Sequence, residues 1–196
     1  MFNLSRTLVL ALSVTAVSAY AEDGIITING KVLDETCTLT GGANTNGGTG
    51  QDIVVTLDTV RNNVFSATQK VAGKKSFDLA LSNSDGTGAC DAVTNASFRG
   101  IHITTAASTD YLANNATALI NKSTTAAEQS PVYIQLLTDA DQEVDYTKPW
   151  GTQAASTITT QAGKPTLSYQ AQYFTETGVV SGQEVSAVVN YTLQYN

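Results

Sequence analysis

Val185-Ser186-Ala187-Val188-Val189-Asn190-Tyr191-Thr192-Leu193-Gln194-Tyr195 places Val185, Ala187, Val189, Tyr191, Leu193 and Tyr195 in one phase. Ser186, Val188, Asn190, Thr192 and Gln194 occupy the other. A period of two is the repeat of a β-strand, whose successive side chains point to opposite faces. One face of this strand is apolar, and only Asn196 follows it. Such a strand needs a partner on both sides, because an open edge offers unpaired N–H and C=O groups to other chains.

A second alternating segment lies near the other end. Gly24, Ile26, Ile28, Gly30 and Val32 share one phase, and Ile25, Thr27, Asn29, Lys31 and Leu33 share the other. The segment precedes Cys37, so it lies outside the part of the chain that a bond to Cys90 would close. Its mixed faces suit a strand laid into a groove with the other side more exposed. An ordinary first strand, paired within its own domain, fits the same alternation.

Between these ends the chain reads as strand-like runs separated by turn clusters. Residues 41–48, rich in Gly and Asn, form a flexible loop before Ile53-Val54-Val55-Thr56-Leu57. Phe77, Leu79 and Leu81 alternate with smaller or polar residues, and Ile101 and Ile103 share a phase that His102 does not. Residues 132–137 predict a strand ending in the turn Thr138-Asp139-Ala140-Asp141, and residues 167–174 alternate cleanly. Residues 116–127 have some helical character but no clear period, and read as a loop with at most one helical turn. Many short strands joined by polar turns predict an all-β sandwich.

Composition sets the outer bounds. A chain of 196 residues, 42% hydrophobic and 14% charged, suits one globular domain. The formal net charge of −7, with basic residues scattered and no cluster beyond Lys74-Lys75, argues against nucleic acid as a partner. At the start, Arg6 precedes the apolar run Leu8-Val9-Leu10-Ala11-Leu12, and Ala19-Tyr20-Ala21 closes it with small residues. This is the pattern of an export signal cleaved after Ala21. A membrane anchor is the competing reading, but the run falls short of the roughly 20 apolar residues a spanning helix needs. Nothing comparable follows, so the mature chain is expected not to span a membrane.

Export decides how the cysteines are read. Cys37 and Cys90 are the only two, and in an oxidising compartment an isolated pair is usually a disulfide. Metal binding is the alternative, but two lone Cys and one distant histidine, His102, make a poor zinc site. No cofactor is expected. The sole histidine has no Gly-x-Ser-x-Gly elbow beside it, and Asp139, Asp141 and Glu143 cluster in a turn where solvated charge is the ordinary outcome. The sequence therefore does not read as an enzyme.

Taken in order, these segments resemble the type 1 fimbrial subunits of the chaperone–usher class over essentially the whole mature chain. The resemblance is carried by Ile26-Thr27-Ile28-Asn29-Gly30-Lys31-Val32-Leu33 running up to Cys37, and by Val55-Thr56-Leu57-Asp58-Thr59-Val60. Phe77-Asp78-Leu79-Ala80-Leu81 before Cys90, the run 167–174 and the ending Tyr191-Thr192-Leu193-Gln194-Tyr195-Asn196 complete it. It implies an incomplete immunoglobulin-like sandwich lacking its final strand, with residues 1–21 as signal, 22–36 as donor extension and 37–196 as pilin domain. Gly24, Ile26, Ile28, Gly30 and Val32 would then enter the groove of a neighbouring subunit. Val189, Tyr191, Leu193 and Tyr195 would line or flank the acceptor groove, and the Asn196 carboxylate would be held by a periplasmic chaperone during transit.

The partners implied are identical or related pilin subunits, the chaperone and an outer-membrane usher, on the way through the periplasm to a cell-surface fimbrium that contributes to adhesion. Three roles fit: a shaft subunit, a minor adaptor or tip subunit, and a self-contained secreted sandwich that binds a glycan.

Overall fold

Phe77, Leu79 and Leu81 all lie inward on one long strand, as their spacing predicts. The computed structural model describes residues 36–46 and 52–196. The expected signal and residues 22–35 of the extension, with Gly24, Ile26, Ile28, Gly30 and Val32, lie outside the described residues. The described residues belong to one compact unit, Leu33–Asn196.

Two sheets enclose the core. The larger uses β1 (Thr38–Gly41), β2 (Val71–Ser82), β4 (Tyr111–Leu112), β5 (Asn115–Leu119), β6 (Tyr133–Thr138), β7 (Ile158–Gln161) and β8 (Lys164–Phe174). Its order is β1-β2-β8-β6-β5-β4, with β7 also paired to β8, and every pairing is antiparallel. The smaller has two strands among the described residues, β3 (Phe98–Thr104) and β9 (Asn190–Tyr195). Phe77, Leu79, Leu136, Leu167 and Tyr169 of the larger sheet meet Phe98, Ile101 and Ile103 of the smaller in one apolar cluster. The arrangement is an immunoglobulin-like sandwich. No described helix is long and apolar enough to cross a membrane.

Cys37 and Cys90 are bonded, joining the residue before β1 to the start of a short helix, α1 (Ala92–Ser97). The sequence reading missed this helix. Asp91 caps it, accepting from the backbone N–H of Val93 and Thr94 at 2.8 and 3.0 Å.

Three other expectations need correction. Residues 116–119, read as the start of a loop over 116–127, lie in β5, because Ala118 and Leu119 find partners in Gln135 and Ile134. β7 was not foreseen; a two-residue turn at Ala162 (φ 48°) and Gly163 (φ 78°) folds it back on β8. Residues 53–57, expected as a strand, and 185–189, expected to alternate, both alternate in exposure, but they join no ladder among the described residues. A lone bridge from Val54 to Asn46 is the exception.

Candidate functional site

The extended segments without ladders form the two banks of one groove. Ile53, Val55 and Leu57 line one side, and Val185, Ala187, Val189 and Tyr191 line the other. Its floor is the core itself, through Phe77, Leu79, Ile101, Ile103, Leu136 and Tyr169. The cleft encloses about 620 Å³. That lies within the roughly 300–1,000 Å³ of sites that bury most of a ligand.

The local sequence explains each bank. Ile53, Val55 and Leu57 are half-buried while Asp52, Val54 and Thr56 are exposed. Val185, Ala187, Val189, Tyr191, Leu193 and Tyr195 are likewise half-buried, whereas Ser186, Val188, Asn190 and Thr192 are exposed. A row of apolar side chains that stops at half burial lies on a core that the described residues leave open along that line.

Main-chain bonding decides where the open edges point. In a strand, the N–H and C=O of one residue leave on the same side, and the next residue reverses them. Val54 N–H donates to Asn46 O at 3.2 Å and Val54 O accepts from Asn46 N–H at 2.7 Å, away from the groove. Ile53, Val55 and Leu57 therefore turn their main-chain groups into it.

On the other bank, Ser186 N–H donates to Asn121 Oδ1 at 3.0 Å, and Ser186 O accepts from Lys122 N–H at 2.7 Å. That leaves Val185, Ala187 and Val189 facing the groove. Tyr191 follows by a separate route. Its partner Ile103 spends both main-chain groups on the side chain of Gln153, so the Ile103–Tyr191 pair shares no main-chain bond. Tyr191 then faces the groove, and the same phase continues through Leu193 and Tyr195.

Each inward residue thus presents an apolar side chain together with a groove-facing peptide edge that has no ladder partner among the described residues. That combination accepts a β-strand: main-chain bonds supply affinity and alternate side chains supply specificity. From Val185 to Tyr191 the bank runs about 20 Å at roughly 3.3 Å per residue.

The expected acceptor residues are placed as follows. Val189 and Tyr191 line the groove directly. Leu193 and Tyr195 continue the row beyond it, opposite Ile101 and Phe98. The Tyr195 ring lies 5.9 Å from that of Phe98, and burial pushes its hydroxyl pKa up. Asn196 is exposed, with its N–H donating to Ser97 O at 3.1 Å.

The sequence reading missed that Ile53, Val55 and Leu57 form the facing bank, although the same alternation marks it. Gln153 carries no sequence signal at all. His102 meets Lys148 O at 3.0 Å through Nε2 on the outer face. Among the described residues, no three His, Cys, Asp or Glu side chains are grouped to hold a metal ion.

No protein-family model matches the chain. It is 33% identical over 186 residues to the F17 fimbrial protein of Escherichia coli, covering 94% of this chain and 93% of that one. It is 33% identical over 190 residues to the major fimbrial subunit SMF-1 of Stenotrophomonas maltophilia, covering 94% and 99%. Among solved structures, the P pilus rod subunit PapA matches with a TM-score of 0.55 at 18% identity, over 87% of this chain and 99% of that one. A chaperone–usher pilus structure matches with a TM-score of 0.51 at 18% identity, over 92% and 100%. With sequence relatives spanning nearly its whole length, the chain belongs to the fimbrial subunit family.

Proposed function

We propose that this fimbrial subunit polymerises by donor-strand exchange, with the groove between residues 52–57 and 185–191 receiving the extension of a neighbouring copy. The observation that carries the reading is the pairing of half-buried side chains with groove-facing peptide groups on both banks. Gly24, Ile26, Ile28, Gly30 and Val32 are the donor row. Their alternation matches the banks, and Gly30 permits close backbone approach. Burying each Ile or Val contributes roughly 1.5–3 kcal/mol, on top of ladder bonds to both sides.

A periplasmic chaperone fills the groove before exchange and holds the Asn196 carboxylate, and an outer-membrane usher receives the complex. The domain plan follows: residues 1–21 are removed, 22–36 donate and 37–196 accept. The role is structural rather than catalytic, in a cell-surface fibre that contributes to adhesion.

Replacing Ile28 with Asp tests the assignment. Fibre formation should fall while the chaperone-bound subunit keeps its fold, because that side chain serves the neighbour. A chaperone-bound Ile28→Asp subunit that failed to fold would show that residue 28 belongs to its own core.

A further inference from the structure

The two banks are chained together at one end. Residues 52–57 run on into loop 58–70, and residues 185–191 are preceded by loop 175–182. The loops meet main chain to main chain. Gly178 is buried with φ +77°, and a Cβ there would overlap the carbonyl of Ser66 and come within 2.7 Å of Ala67 N. Beside this contact, Thr175 N–H donates to Lys70 O at 2.9 Å, and Asn62 Nδ2 reaches Val180 O at 3.5 Å. The Ser66 side is stiff. Ser66 N–H donates to Gln69 O at 3.0 Å and Gln69 N–H returns to Ser66 O at 3.1 Å, and Phe65 beside it is buried.

We infer that the Gly178–Ser66 contact is a clasp that fixes the spacing of the groove's banks and so governs how firmly an inserted strand is held. The reasoning is mechanical. An inserted strand must reach ladder partners on both banks at once, with neighbouring strands about 4.8 Å apart. A side chain at position 178 drives the loops apart and spreads the banks at the Leu57 and Val185 end. Ladder bonds there lengthen, and the strand escapes from that end. Gly178 is thus a positioning residue for strand binding, an assignment that rests on the donor-strand reading above.

The test uses the full chain with a second copy of residues 24–34 joined after Asn196 through a protease-cleavable linker. After cleavage, release of the 24–34 peptide is followed with time. Gly178→Ala should release it about tenfold faster, because changes at a binding interface act mainly on dissociation.

Gly163→Ala is the matched control. Gly163 has φ +78°, the same backbone demand, but nothing lies within 4 Å of an added Cβ. It should lose stability without faster release. Equal release from the two variants would overturn the clasp. If Gly178→Ala does not fold, Asn62→Ala, which loosens the same junction, should speed release about threefold, and unchanged release would overturn the clasp equally. If the unmodified chain never retains the peptide after cleavage, the donor-strand reading itself fails, an outcome distinct from both.

Discussion

Gln153 bonds both main-chain groups of Ile103, accepting from its N–H at 2.9 Å and donating to its O at 2.8 Å. At Ile103 the outer edge of β3 is thereby capped by a side chain. At that position the two-stranded sheet β3–β9 keeps its open edge on the β9 side, facing the groove. Strand addition needs that asymmetry, because a sheet open on both edges would also pair with the wrong chains.

Gln153→Ala should therefore act in two ways. It leaves two buried peptide groups without partners, at about 1–3 kcal/mol each. It also opens a second edge. Denaturant melts of the strand-complemented chain should show the loss, and light scattering should show aggregation that does not require the donor extension.

Filling the groove from its own wall should block the neighbour. Ala187 is the smallest apolar side chain on its bank. Ala187→Trp should place a large ring where a donor side chain belongs. Fibre assembly measured by sedimentation should fall sharply, while the Cys37–Cys90 bond still forms. Unimpaired assembly would remove Ala187 from the acceptor row.

Removing the disulfide should cost stability without closing the groove. The bond joins residues separated by 53 positions. A loop of that length is worth roughly 4 kcal/mol in the chain-entropy model. Cys37→Ser with Cys90→Ser should lower the denaturation midpoint of the strand-complemented chain accordingly, while the chain remains able to bind a donor peptide.

Acid should weaken the fold through particular carboxylates. The hydrogen bond from Lys122 holds the Asp110 carboxyl below its usual 3.8, helped by the N–H of Ala107. Asp141 is held down by Lys74 and then by Gln170. A carboxylate with a lowered folded pKa contributes its stability above the unfolded value and loses it as pH falls through the folded value. Stability should thus decline as pH drops below about 4. Asp110→Asn and Asp141→Asn should each flatten that decline in a pH series of melts.

Much of this was legible in the chain. The period of two in residues 185–195, and again in 53–57, marks inward rows whichever partners they have. The cysteine pair and the predicted export signal pointed to the Cys37–Cys90 bond. Other features depend on contacts distant in sequence. Asn115 to Leu119 offers only small apolar residues before Leu119 and becomes a strand because β4 and β6 lie on either side of it. Gln153 looks like any loop glutamine until the fold brings it to β3. The clasp at Gly178 needs two loops more than a hundred residues apart to meet. That residues 53–57 and 185–189 have no ladder among the described residues could not be read either, since alternation predicts a strand's faces and says nothing about its edges.

In the proposed function, the groove is a strand site completed by residues 24–32 of another copy. Its most direct test is the stability of a chain carrying residues 24–34 again after Asn196 on a short flexible linker. This chain should be monomeric. Its melting temperature should exceed that of the unmodified chaperone-free chain by on the order of 10–20 °C, the shift that about 5 kcal/mol gives a domain of this size. Equal melting temperatures, with the unmodified chain a stable monomer, would contradict the account.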